Sequence, residues 1–287
     1  MRGSDVPPGL LLDGLRFAEA PRWHDGRLWF SDIFAQRVMT VDEAGRADVV
    51  LQLSGKDLPC GLGFLPDGTL LVANMGHPEI LALDRGGSLR VHADLSEFAV
   101  GGLNDMVVDG FGRAYVGSIG THNAYAPRPL HGDGNIILVE PHGAARVVAE
   151  EMDAPNGPCI TPDGSQYIVA EFPASRLIGF DRAGDGSLTN RRVWADLRPG
   201  SADGISVDVE NGVWVASPRE HECRRVLEGG TVTARVHVGP KMPLACCLGG
   251  SDGRTLFILS AVGDEESIRR RTNSSVIETT RVRVPAW

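Results

Sequence analysis

Residues 60–74 read CGLGFLPDGTLLVAN: a short anchor at Cys60, an apolar stretch, a Pro66-Asp67-Gly68 turn, and a second apolar stretch. The same order opens at Glu19 (EAPRWHDGRLWFSD), Asn104 (NDMVVDGFGRAYVGS), Asn156 (NGPCITPDGSQYIVAE), Asp203 (DGISVDVENGVWVAS) and Cys246 (CCLGGSDGRTLFILSA). The anchors stand 41, 44, 52, 47 and 43 residues apart. A repeat of roughly 40–50 residues with several strands per unit is the signature of a β-propeller. Six equivalent positions then surround one axis, and four of them (Glu19, Asn104, Asn156 and Asp203) carry oxygen in their side chains.

Within each unit the pattern is that of strands. Leu28-Trp29-Phe30-Ser31 and Leu70-Leu71-Val72-Ala73 are short runs of the buried-strand kind. His24-Asp25-Gly26, Pro162-Asp163-Gly164 and Ser251-Asp252-Gly253 put Gly where a hairpin needs positive φ. Third strands such as Glu79 to Leu83 and fourth strands such as Ala47 to Leu51 complete four-stranded units. No segment sustains a 3.6-residue apolar period, so helices should be few. The expected fold is all-β: a six-bladed β-propeller with four-stranded antiparallel blades, residues 1–287 forming a single domain. Gly9 to Phe17 should pair with Ser275 to Val284, closing the ring through N- and C-terminal strands and removing free edges. The third unit carries an insertion, Thr121 to Asn135, of a length that suits a lid or a substrate wall as well as a surface excursion.

Composition narrows the partners. A net charge of −9 disfavours nucleic acid, whose phosphates would be repelled. No apolar run approaches the roughly 18 residues of a membrane span, and the first residues lack a signal-peptide pattern. Five cysteines without regular spacing read as buried reduced thiols, consistent with a cytoplasmic protein. A monomer or weak homo-oligomer is expected, with a small molecule as partner.

The anchors supply the chemistry. Two carboxylates and two carboxamides converging on an axis offer only oxygen ligands and a formal charge of −2. That suits a hard divalent cation such as Ca²⁺, Mg²⁺ or Mn²⁺, with carboxylate-bound Zn²⁺ a weaker fit. Read singly, Asn-Gly, Asn-Asp and Asp-Gly are turn formers; four donors in one repeat phase, one of them a Glu, point to a site. Cys60 and Cys246, in the remaining phases, read as small apolar channel-lining groups. His122 and His131 lie in the insertion, where either could donate a hydrogen bond to substrate or remain a solvated loop residue. Gly249 to Gly253 matches G-x-S-x-G literally, but the run from Arg254 to Leu259 is a strand pattern, so the motif reads as a hairpin turn.

On these residues the chain resembles the SMP-30/gluconolactonase/regucalcin-like family of six-bladed propeller lactonases. The matching stretches are Glu19-Ala20-Pro21-Arg22-Trp23, Asn104-Asp105 with Asp109 and Gly112-Arg113, Pro155-Asn156-Gly157 with Pro162-Asp163-Gly164, and Ala202-Asp203-Gly204 with Val213 to Ala216. The resemblance implies that Glu19, Asn156 and Asp203 ligate a divalent metal, Ca²⁺ first. Asn104 would be a further ligand or a substrate contact, and Asp203 also the catalytic carboxylate. It implies hydrolysis of a lactone or ester. The alternatives are an organophosphate or aryl-ester hydrolase using the same cation, and a non-catalytic Ca²⁺-binding propeller. One departure stands out: sugar-lactonase members commonly carry Arg two residues before the Asn, where this chain has Gly102.

Overall fold

The computed structural model describes residues 7–121, 132–172 and 174–287. After β1 (Gly9–Leu15), the first blade is β2 (Ala18–His24), β3 (Arg27–Asp32), β4 (Arg37–Val41) and β5 (Ala47–Gln52). The second is β6 (Pro59–Phe64), β7 (Leu70–Asn74), β8 (Glu79–Leu83) and β9 (Leu89–Asp94). The third is β10 (Leu103–Val108), β11 (Ala114–Ser118), β12 (Gly134–Val139) and β13 (Ala145–Met152). The fourth is β14 (Pro155–Ile160), β15 (Gln166–Glu171), β16 (Arg176–Arg182) and β17 (Leu188–Asp196). The fifth is β18 (Ile205–Val207), β19 (Val213–Ser217), β20 (Glu222–Val226) and β21 (Val232–His237). The sixth is β22 (Met242–Gly249), β23 (Thr255–Val262), β24 (Ser274–Arg281) and, outermost, β1. Pairing within every blade is antiparallel, so the protein is the six-bladed β-propeller that the repeat implies.

Closure follows the expected route. Gly9 pairs with Thr279 and Leu15 with Ser275, while the Ala18 N–H donates to Ser275 Oγ at 3.2 Å. Among the described residues the one α-helix is α1 (Glu265–Arg269), in the β23–β24 connection and capped by Asp264. No helix there is long and apolar enough to cross a membrane. Gly250 and Gly253 have φ of 88° and 70°, and β23 begins at Thr255, so the G-x-S-x-G match is a hairpin turn.

The core is divided into wedges between blades. Leu62 and Val72 of the second blade pack on Ala20 and Val38 of the first. Ile168 and Leu177 of the fourth pack on Ile205 and Val215 of the fifth. The remaining neighbours meet in the same manner, and Trp23 stacks on Phe257 at 5.3 Å where the sixth blade meets the first. Such burial of whole apolar side chains contributes about 1.5–3 kcal/mol each.

Toward the axis, backbones replace side chains. A Cβ on Gly157 would lie 2.6 Å from Gly204 Cα, and one on Gly61 would lie 2.6 Å from the Met106 nitrogen. Glycine here lets neighbouring inner strands touch. Gly157→Ala is therefore expected to cost about 1–3 kcal/mol in a urea titration, the usual scale of overpacking. Gly110→Ala, whose Cβ would meet nothing within 4 Å, should stay within about 0.5 kcal/mol of the parent. Equal midpoints for the two variants would refute the close-approach argument.

Candidate active site at one end of the axis

The inner strands β2, β6, β10, β14, β18 and β22 contact one another in ring order, all running away from the same end. In five of them the ladder slips by a residue beside the anchor: between Glu19 and Arg22, Pro59 and Leu62, Leu103 and Met106, Pro155 and Pro158, and Pro243 and Ala245. Bulges re-aim side chains out of the plane of a sheet. In the fifth blade, regular pairing starts only at Ile205, just beyond Asp203, whose N–H donates to Ala216 O at 3.0 Å.

The register corrects one sequence assignment. Pro243 pairs with Ser260 as Leu103 pairs with Ser118 and Pro155 with Glu171, and the Gly204 N–H donates to Leu244 O. Leu244, not Cys246, holds the sixth anchor position. Simple alternation would put Cys246 on the same face, which is why a period of two could not separate them; beyond the slip it packs instead in the wedge between the fifth and sixth blades. The ring therefore reads Glu19, Cys60, Asn104, Asn156, Asp203 and Leu244.

Asn104 is held from both sides, its Oδ1 accepting from Cys60 Sγ at 3.3 Å and its Nδ2 donating to Pro155 O at 3.2 Å. Glu19 folds back so that Oε2 accepts from the Ala20 N–H at 2.9 Å, with Ala20 at φ 51°. Burial lifts the Glu19 carboxyl from its ordinary 4.5 to about 8; Asp105 pushes the same way, while the Ala20 N–H and Arg22 oppose it. Asp203 is 3% exposed, and its Oδ1 is buried with no hydrogen-bond partner among the described residues. Burial raises its carboxyl well above the usual range, the nearby Glu19 adds to that, and the Asn156 side chain acts against it. Two carboxyls thus confront each other in a desolvated ring with an oxygen left over, an arrangement that a bound cation would relieve. Among the described residues no three His, Cys, Asp or Glu side chains gather as a metal cluster, so a cation here needs the carboxamides of Asn104 and Asn156. His122 lies outside the described residues, as do residues 123–131 of the insertion.

Two further residues escaped the sequence reading. Asp105, beside Asn104, is buried, and its Oδ1 accepts from Arg22 Nη2 at 2.7 Å and from the Met106 N–H at 2.8 Å. Arg22 also donates to Met106 O and Pro21 O. Since β2 and β10 are separated in the ring by β6, this pair reaches across the channel below the anchors. Beyond it, at the opposite end, lies a cavity of about 290 Å³ whose walls include Trp23, Cys159, Cys247 and Trp287. The Arg22–Asp105 pair separates that cavity from the anchor ring.

Fold and ring together define a six-bladed propeller with an axial acid–amide site. The chain belongs to the SMP-30/Gluconolactonase/LRE-like family, whose model matches residues 17–262. It is 27% identical over 278 residues to the 6-deoxy-6-sulfogluconolactonase of Pseudomonas putida, covering 93% of this chain and 91% of that protein. It is also 27% identical over 262 residues to pentonolactonase XacC of Haloferax volcanii, covering 87% and 83% respectively. Among solved structures, a luciferin-regenerating enzyme superposes with a TM-score of 0.81 at 17% identity, over 96% of this chain and 95% of that one.

Proposed function

We propose that the protein hydrolyses a lactone at the anchor ring with the help of a divalent cation. The observation that carries this reading is the partnerless Asp203 Oδ1, buried beside Glu19 in a ring whose other donors are carboxamides. Lactonase relatives that span nearly the whole chain support the reaction class. Glu19, Asn156 and Asp203 would hold the ion, with Asn104 as a fourth donor; Ca²⁺ fits this all-oxygen set best, and Mg²⁺, Mn²⁺ or Zn²⁺ are the alternatives. The cation supplies a Lewis acid for the lactone carbonyl and the oxyanion that develops from it.

The remaining work falls to the protein. The Asp203 carboxylate accepts a proton as water adds to the carbonyl carbon, and the same carboxyl returns it to the ring oxygen as the C–O bond breaks. Water and lactone are consumed and a hydroxy acid leaves. Asn104, fixed by Cys60 and Pro155, orients substrate or ion without rotating. Arg22 pairs with Asp105 below and offsets part of the repulsion that this third carboxylate adds to the ring. A panel of lactones, aryl esters and phosphotriesters, run on stripped protein reloaded with each of the four ions, tests the assignment. Lactone turnover that depends on the ion is expected; cation binding with no lactone turnover would sink it.

The raised Glu19 carboxyl has a pH signature. Between about 4.5 and about 8 the unfolded chain has this group ionised while the stripped folded protein keeps it protonated. The unfolded state then binds fewer protons, so stability falls as pH rises through that window. Adding Ca²⁺ displaces the proton, so its stabilisation should be larger at pH 8 than at pH 6. Melting curves with and without Ca²⁺ read both effects. A Ca²⁺-induced shift in Tm that is the same at both pH values would contradict this linkage.

A further inference from the structure

The residues two positions before each anchor form the next layer toward solvent. The ladder extends to four of them, with Ile33 N–H donating to Phe17 O, Met75 N–H to Leu58 O and Ile119 N–H to Gly102 O, and Met242 pairing with Ala261. A period of two therefore turns these residues to the same side as the anchors. The layer reads Phe17, Leu58, Gly102, Ala154, Ser201 and Met242. Its one hydroxyl, Ser201 Oγ, is buried, donating to Glu220 Oε2 at 2.7 Å and accepting from the Arg219 N–H. Phe17, Leu58 and Met242 pack into one apolar cluster with the ring residues Cys60 and Leu244, and Met75 joins it.

The layer opens at Gly102. A Cβ there would meet Met75 Cγ at 3.3 Å and Ile119 Cδ1 at 3.9 Å. Leu58, Met75 and Ile119 are each partly exposed, and Leu58 and Met75 pack in one cluster with Cys60. Ser118, the nearest hydroxyl in the register, is fully buried and exchanges hydrogen bonds with the Val100 backbone. Among the described residues, Leu58, Met75 and Ile119 thus line the side of the donor ring at Gly102 with hydrocarbon.

We infer that the substrate is a lactone with a hydrocarbon substituent, seated on Leu58, Met75 and Ile119 while its ester group lies at the anchor ring. The inference rests on the lactonase reading for the reacting group alone; the apolar wall is independent of it. A sugar lactone would face this wall with hydroxyls stripped of water and unpaired, which is unfavourable. An alkyl chain would exchange water for methylene contacts, which is favourable.

Calorimetric binding of non-hydrolysable lactams tests the wall without turnover. The probes are 2-piperidone, its 6-butyl derivative and gluconolactam. For the Ca²⁺-loaded protein, the butyl compound should bind at least about tenfold more tightly than the parent, and gluconolactam no more tightly than the parent. Met75→Gln and Leu58→Gln should each reduce the butyl advantage to about threefold or less while leaving 2-piperidone unchanged. Equal binding of the butyl and parent compounds, no saturable binding of the butyl compound, or tighter gluconolactam binding overturns the inference. Hydrolysis is scored separately on the matching lactones. Loss of turnover with the binding order intact removes the hydrolase reading and leaves the apolar wall standing.

Discussion

Asp203→Asn, assayed at saturating cation, is expected to lower kcat/KM for lactone hydrolysis by about a hundredfold or more, the scale of a lost acid–base group. The substitution keeps an oxygen donor and nearly the same volume. It removes the negative charge and the ability of the carboxylate to take a proton. The Asp203 Oδ1 is buried and, among the described residues, has no hydrogen-bond partner. Glu19→Gln is the matched comparison: it deletes the same charge from the same ring, but its carboxyl already accepts from the Ala20 N–H. The loss at Glu19 should be smaller once the cation is saturating. Equal losses would mean that charge in the ring is all that matters and that Asp203 has no separate role.

Arg22→Met should be strongly destabilising. Arg22 and Asp105 have side chains 20% and 7% exposed and meet at 2.7 Å. Removing the cation strands a carboxylate in the channel, which typically costs about 3–5 kcal/mol. Burial already raises the Asp105 carboxyl, with Arg22 as the leading counterweight, so its loss raises the group further. The unfolded chain then ionises before the folded one, and the deficit should deepen as pH rises above the ordinary carboxylate range. Adding Asp105→Asn to Arg22→Met should recover much of the stability, a coupling that a double-mutant cycle measures. A double variant as unstable as the single one would place the damage in lost packing around the arginine instead.

The architecture was legible because its signals are local. Asp-Gly turns, period-two runs and a recurring anchor each report on a few neighbouring residues, and the observed blades follow them. Phase inside a blade was less secure. Simple alternation puts Cys246 and Leu244 on one face, and the slip between Pro243 and Ala245 that separates them has no sequence mark. Asp105 was visible beside Asn104, yet simple alternation turns it away from the axis. The slip between Leu103 and Met106 brings both into the channel region. Arg22 was hidden for a different reason: its partner lies two blades away, a distance that only the closed ring makes short. The apolar layer was legible only at Gly102, because its other members are ordinary core residues until the register places them above the donors.

The strand β1 sets a timetable for synthesis. Ala18, just past β1, and Ser275, the partner of Leu15 within β1, are separated by 257 residues. At about 5–20 residues per second, a ribosome delivers the second on the order of ten seconds to a minute after the first. Throughout that interval Leu10, Leu11 and Leu12 have left the ribosome before their strand exists. Blades one to five can form as they emerge, since each pairs only within itself, but closure must wait for the last strand. Until then the nascent protein carries an idle strand at one end and an unfilled edge at the other. In a polysome, the nearest complementary edge belongs to the neighbouring chain.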